Sequence, residues 1–170
     1  MPGIMAEKPE RDFMITITRN SFLMQLAKWV CSFFVLFQLS ACKPDLSDDP
    51  IPLVSFPPFV VNINLPQYQG LRTKGYVEIN DIGLRGVIVY RVNSTTYITY
   101  ERNCSYHPNE ACATVNVDIS SLFMTDPCCN STFDLATGFP TGGPAWRPLR
   151  KYETHFSGSS SLTITDTVVE

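Results

Sequence analysis

Cysteine, histidine and aspartate gather between positions 104 and 129 of this 170-residue chain: Cys104, His107, Cys112, Asp126, Cys128 and Cys129. Thiolates and imidazoles are ligands for zinc and for iron-sulfur clusters, a carboxylate is a harder oxygen donor, and two thiols can also oxidise to a disulfide. The remaining cysteines, Cys31 and Cys42, lie near the N-terminus. In an oxidising compartment four cysteines point first to two structural disulfides and second to a metal. A mononuclear site could take Cys104, His107, Asp126 and Cys129, a set that zinc accepts in tetrahedral geometry. A cluster held in ferredoxin fashion would instead use Cys104, Cys112, Cys128 and Cys129. None of these arrangements has the spacing of a strong motif.

The two histidines do not suggest hydrolysis. His107 lies in the polar loop SYHPNE and reads more readily as a solvated loop residue than as a ligand, and His155 falls in a predicted strand, facing solvent. Neither stands in a recognised pattern with a Ser or Cys nucleophile. The chain is therefore read as no enzyme, at most a redox carrier.

The compartment follows from the N-terminus. Trp29 to Leu39 (WVCSFFVLFQL) is an apolar run preceded by Arg19 and Lys28 and followed by Leu39-Ser40-Ala41-Cys42. A basic region, a short apolar core and a small-residue cleavage zone make a secretory signal. The Leu-Ser-Ala-Cys run resembles the bacterial lipobox, whose Cys is acylated, so residues 1–41 are expected to be removed and Cys42 to carry lipid. The plainer alternative is an uncleaved anchor over Ser21 to Ala41, which Lys28 and Gln38 interrupt. Met14 or Met24 as the true start would give a short, ordinary basic region. Export also removes Cys31.

Residues 42–58, acidic and proline-rich, are expected to be an extended tether that holds the domain off the membrane. Asp45, Asp48 and Asp49 close behind the acylated Cys also resemble signals that send some bacterial lipoproteins to the cell surface. The expected location is the bacterial cell envelope, at the outer membrane or cell surface. The partners are the membrane, through lipid on Cys42, and an unknown envelope protein. The net charge of −3 contains no basic cluster, which excludes a nucleic-acid footprint.

Residues 59–170 must position the cysteine cluster, and they read as all-β. No segment shows a sustained apolar repeat at helical spacing, and short alternating or β-branched runs recur between Gly, Asn, Asp and Pro. The predicted strands are Phe59 to Leu65, Tyr76 to Asn80, Gly86 to Val92, Thr96 to Glu101, Ala113 to Asp118, Ser121 to Met124, Tyr152 to Phe156 and Ser161 to Thr165. Gly86 to Glu101 is the clearest, two β-rich runs across Asn93-Ser94-Thr95.

Asp126 to Tyr152 (DPCCNSTFDLATGFPTGGPAWRPLRKY) resembles the second ligand loop of Rieske proteins, particularly those of cytochrome bc-type complexes. In that family the pattern runs Cys-Pro-Cys-His-Gly-Ser, an aromatic and Asp, a Gly, then Gly-Pro-Ala, Pro-Leu and a Tyr. The matches are Pro127, Cys128, Ser131, Phe133, Asp134, Gly138, Gly143-Pro144-Ala145, Pro148-Leu149 and Tyr152. Tyr100 to Cys104 (YERNC) is similar to the strand delivering the first ligand loop, and Gly86 to Tyr90 to the preceding hairpin. The resemblance spans roughly residues 60–166.

The resemblance implies a Rieske-type β-sandwich with a cysteine-containing loop subdomain, and a [2Fe-2S] cluster held as Cys-x-His and Cys-x-x-His. The ligand positions are altered. Cys104 is kept, Tyr106 stands where a His belongs with His107 one residue late, Asp126 stands for the second Cys, and Cys129 for the second His. Cys104, His107, Asp126 and Cys129 are thus the degenerate cofactor positions, and a conventional cluster is not expected. The family's inter-loop disulfide implies a Cys112–Cys128 bond, and Cys129, pointing to the other side of an extended chain, is expected to face Cys104 and could form a second one. Phe133, Tyr152 and Trp146 are expected to pack the core or loops, and Gly138 and Gly143 to be turns with positive φ. The readings carried forward are a binding or structural module without cofactor, a [2Fe-2S] electron carrier with a non-standard ligand set, and a Cys/His/Asp zinc site.

Overall fold

The structure, a computed structural model, describes residues 49–169 and, N-terminal to them, Trp29. The expected signal peptide, Cys42 and the first part of the tether lie outside the described residues, Trp29 excepted. Residues 49–169 belong to one compact unit, Pro44–Glu170. Among the described residues no helix is long and apolar enough to cross a membrane.

The unit is all-β, built as two antiparallel sheets. The larger contains β1 (Phe59–Asn62), β2 (Tyr76–Ile79), β3 (Val87–Arg91), β4 (Tyr97–Glu101), β9 (Lys151–Phe156) and β10 (Ser161–Val169), in the order β1-β10-β9-β4-β3-β2. The smaller contains β5 (Asn116–Val117), β6 (Phe123–Asp126), β7 (Ser131–Asp134) and β8 (Pro140–Gly142), paired in chain order. A 3-10 turn (Pro66–Tyr68) and a one-turn helix α1 (Gly70–Thr73) connect β1 to β2.

The β3–β4 hairpin forms where expected, with Val87 opposite Glu101 and Arg91 opposite Tyr97. Asn93 closes it, its Oδ1 accepting the backbone N–H groups of Thr95 and Thr96, each at 2.9 Å. Side chains alternate across these strands. Val87, Val89 and Tyr97 face a core that also holds Val61, Tyr152 and Leu162. Ile88 and Tyr100 face a second core with Met124, Phe133, Val115 and Leu149. The middle of the large sheet is therefore buried on both faces, which is why GVIVYRV is nearly continuously apolar. Each such aromatic or aliphatic burial is worth about 1.5–3 kcal/mol.

Four segments differ from expectation. Ser131–Asp134 and Pro140–Gly142 form β7 and β8, although their Ser, Thr, Asp, Pro and Gly content carries little strand signal. They are strands because pairing with β6 satisfies their backbone and buries Phe133 completely. Only Asn116–Val117 of the Ala113 to Asp118 run is a strand, joined by an isolated bridge between Asn103 and Thr114. Residues 49–58 do not stand off as a free tether. Arg150 donates to the carbonyls of Ile51 and Pro52, Arg147 Nη2 donates to Asp49 O at 2.9 Å, and Phe56 is buried edge-on to Tyr152 with ring centroids 5.2 Å apart. The carbonyls of an extended proline-rich strip are free to accept, and two arginines take them.

Candidate functional site

Two loops deliver the site. The first leaves β4 through Arg102 and Asn103 to Cys104, and the second is the tight turn between β6 and β7 that carries Asp126 to Ser131. Arg102 anchors the first loop. Its Nε donates to Val115 O at 3.0 Å, its Nη1 to Asn80 Oδ1 at 2.7 Å and its Nη2 to Asn116 Oδ1, and it pairs with Glu78 at 3.4 Å. The second turn closes with Asn130 N–H on Asp126 O at 2.8 Å and Asn130 at φ 58°.

Cys112 and Cys128 are joined by a disulfide that crosses from the first loop to the second, Cα to Cα 5.5 Å. Those two sulfurs are consequently no ligands, and the four-cysteine ferredoxin set does not assemble. Gly143 keeps the covering segment close. At φ 79°, a Cβ there would lie 2.6 Å from Ser131 Cα, so no other residue fits without displacing the loop. Gly138, at φ 73°, leaves the same kind of space for the Tyr100 ring, whose hydroxyl donates to Leu135 O at 3.0 Å. Both glycines have the positive φ expected of them.

Inside this frame Cys104, Asp126 and Cys129 converge. One ligand atom from each lies within 4.8 Å of the other two. Cys104 Sγ and Cys129 Sγ stand 3.9 Å apart, so the pair is not bonded. Cys104 and Asp126 are completely buried and Cys129 is half-buried. Asp126 is held by its own loop. Oδ1 accepts the Cys128 N–H at 2.8 Å, and Oδ2 accepts the Cys129 thiol at 3.2 Å. Cys129 Sγ also lies 3.0 Å from Ser131 Oγ, which accepts the Ala145 N–H at 3.0 Å. Burial, and then the hydrogen bond to Asp126, push the Cys104 thiol far above the ordinary cysteine range.

His107 is placed differently from the other three. It lines a pocket of about 320 Å³ together with Asp126, Cys128, Cys129, Tyr106, Glu110, Ala113 and Pro144, but it is not in the convergent group. Its backbone is left-handed, φ 45°, and its ring packs edge-on to Tyr106 at 4.1 Å. His155 is exposed on β9. Of the three aromatics expected to pack the core or loops, Phe133 and Tyr152 are buried, and Trp146 is 45 % exposed and lies against the Arg147 guanidinium at 5.3 Å. Ser131 was not named as a site residue, although its match to the Ser of the ligand-loop pattern could have marked it.

A Rieske cluster requires two thiolates on one iron and two imidazoles on the other. The donors that converge here are two thiols and a carboxylate, with no imidazole among them, and they do not fit that group.

No family model and no curated protein matches the chain. Among solved structures it is similar to the cyanobacterial plasma membrane Rieske protein PetC3 from Synechocystis PCC 6803, with 27 % identity, 58 % of this chain and 94 % of that one covered, and a TM-score of 0.45. It is also similar to a chain of the complex of reduced oxygenase and oxidised ferredoxin in carbazole 1,9a-dioxygenase, with 17 % identity, 57 % and 85 % covered, and a TM-score of 0.42.

Proposed function

We propose that this chain is a lipid-anchored, Rieske-like domain protein of the bacterial envelope that works as a binding or structural module without a conventional [2Fe-2S] cluster. The observation that carries this reading is Asp126. At the position where the resemblance puts a cluster thiolate stands a buried carboxylate, one of whose oxygens is already committed to the Cys128 N–H. A carboxylate is a poor replacement for thiolate on iron-sulfide, and Cys129 stands where an imidazole would set the potential. The inter-loop disulfide, the Gly143 contact and the Ser131 to Ala145 hydrogen bond hold the two loops together. The anchor reading rests on Trp29 to Leu39 followed by Leu39-Ser40-Ala41-Cys42.

The second reading, electron transfer through an altered [2Fe-2S] ligand set, has the convergence of Cys104, Asp126 and Cys129 in its favour and lacks Cys112 and Cys128. One preparation separates the two. Anaerobically purified full chain is expected to contain no acid-labile sulfide and to be silent in paramagnetic resonance after reduction, with an acylated Cys42 as the N-terminus by mass spectrometry. Stoichiometric iron and sulfide would replace the first reading with the second.

A further inference from the structure

Among the described residues the two fully buried carboxylates, Glu101 and Asp126, differ in what neutralises them. Asp126 accepts one backbone N–H and the Cys129 thiol, a weak donor, and the Cys104 sulfur lies within 4.8 Å of a carboxylate oxygen. A buried anion with so little compensation favours a cation beside it. The sulfur spacing says which kind. A disulfide needs about 2.0 Å between sulfurs, and two thiolates on one tetrahedral zinc, at about 2.3 Å each, stand about 3.8 Å apart. The observed separation is 3.9 Å. The corresponding sulfur-to-oxygen edge is about 3.6 Å, and Cys129 Sγ lies 3.2 Å from Asp126 Oδ2.

We propose that Cys104 Sγ, Cys129 Sγ and a carboxylate oxygen of Asp126 form a mononuclear site for one divalent cation of the Zn²⁺ type, with its fourth position open to water on the pocket side. The inference rests on the cluster-free reading above. Groups outside the three ligands support it. The Cys128 N–H fixes Asp126 Oδ1 and so turns Oδ2 towards the sulfurs. Ser131 Oγ already accepts the Ala145 N–H, which leaves its own proton to donate to Cys129 once that sulfur is a thiolate. Such outer hydrogen bonds orient and strengthen metal ligands. Asp126 and Cys129 line the pocket, which gives the ion a way in. Thiolates make the site suited to zinc over magnesium or calcium. Binding releases the two thiol protons to solvent, so two S–H bonds are exchanged for two metal-sulfur bonds with no change in oxidation state.

The test is Co²⁺ titration of the full chain, purified anaerobically in detergent and stripped of metal, with circular dichroism as the check on folding. One equivalent is expected to bind with thiolate-to-cobalt charge-transfer absorption and the intense visible bands of a tetrahedral ion, and one equivalent of Zn²⁺ is expected to displace it. Cys129→Ser should weaken Zn²⁺ binding by at least about 100-fold, and Ser131→Ala, which keeps all three ligands, by about 10-fold, with a shifted charge-transfer band. Asp126→Asn, which preserves the contact to the Cys128 N–H, serves if Cys129→Ser does not fold, and should weaken binding at least as much as Ser131→Ala does. A folded chain that takes up no Co²⁺, one that binds it without a thiolate band, or one with a Cys104–Cys129 disulfide overturns the site and leaves the module reading intact. Iron with sulfide in the purified chain overturns both.

Discussion

Glu101 and Asp126 are both completely buried, yet they sit in different company. Glu101, at the end of β4 in the large sheet, accepts from Leu84 N at 2.9 Å, Arg85 N at 3.2 Å, Asn103 N at 3.1 Å and the Tyr152 hydroxyl at 2.8 Å. Three backbone donors and a phenol leave it nothing further to bind. Asp126, in the small sheet, has one backbone donor and one thiol, with the Cys104 sulfur within 4.8 Å. The difference separates a carboxylate that fastens loops to a sheet from one available to a ligand: burial alone marks neither, and the donors around the group mark both.

The strongest way to break this comparison is to remove the saturated carboxylate. Glu101→Ala strands three backbone N–H groups and the Tyr152 hydroxyl, each costing about 1–3 kcal/mol when left unpaired. A loss of more than about 3 kcal/mol in urea unfolding is expected, and a loss under 1 kcal/mol would mean that water reaches those donors.

Next comes the frame of the small sheet. Replacing Cys112 and Cys128 by Ser opens a loop of sequence separation 16, which should lower stability by about 3 kcal/mol. The same denaturation experiment also shows whether the two sheets still unfold together.

Alkali acts on the large sheet more than on the small one. Burial, and then the Asp134 charge, raise the Tyr100 phenol; burial, and then Glu101, raise Tyr152. A raised folded value means that the native chain keeps protons which the unfolded chain gives up. Their contribution to stability is therefore intact below about pH 10, the ordinary tyrosine value, and is lost as pH climbs beyond it. Phenolate absorbance followed beside circular dichroism should show these two ionising only with unfolding.

The smallest effect sharpens the contrast. Asp126→Asn keeps an oxygen for the Cys128 N–H and replaces a carboxyl that has only one backbone donor, so stability should change by less than about 1 kcal/mol. Glu101→Gln, which puts an amide among four donors, should cost more. Equal losses for the pair would erase the distinction drawn here.

Much of this molecule is legible in the residues themselves. The Gly86 to Glu101 hairpin follows from β-branched runs around an Asn that can cap a turn, and the all-β character follows from the missing helical period. The positive φ of Gly138 and Gly143 belongs to residues that adopt it without strain. The sequence was less informative for β7 and β8, whose strand character comes from a neighbour to pair with and from one buried Phe133. It also did not indicate that residues 49–58 lie against the domain, because that contact depends on Arg147 and Arg150, roughly a hundred positions away.

Local composition and pattern thus determine the strands, the turns and the inventory of chemical groups, because those depend on propensity and period within a few residues. Which sulfurs meet is a different question. Four cysteines can pair in three ways; the family resemblance implied Cys112 with Cys128 and Cys129 facing Cys104, whereas local pattern alone left the pairing open, and the meeting of the two loops makes the bond and brings Cys129 to within 3.9 Å of Cys104, with Asp126 beside them. That outcome rests on long-range burial, which no stretch of sequence contains by itself.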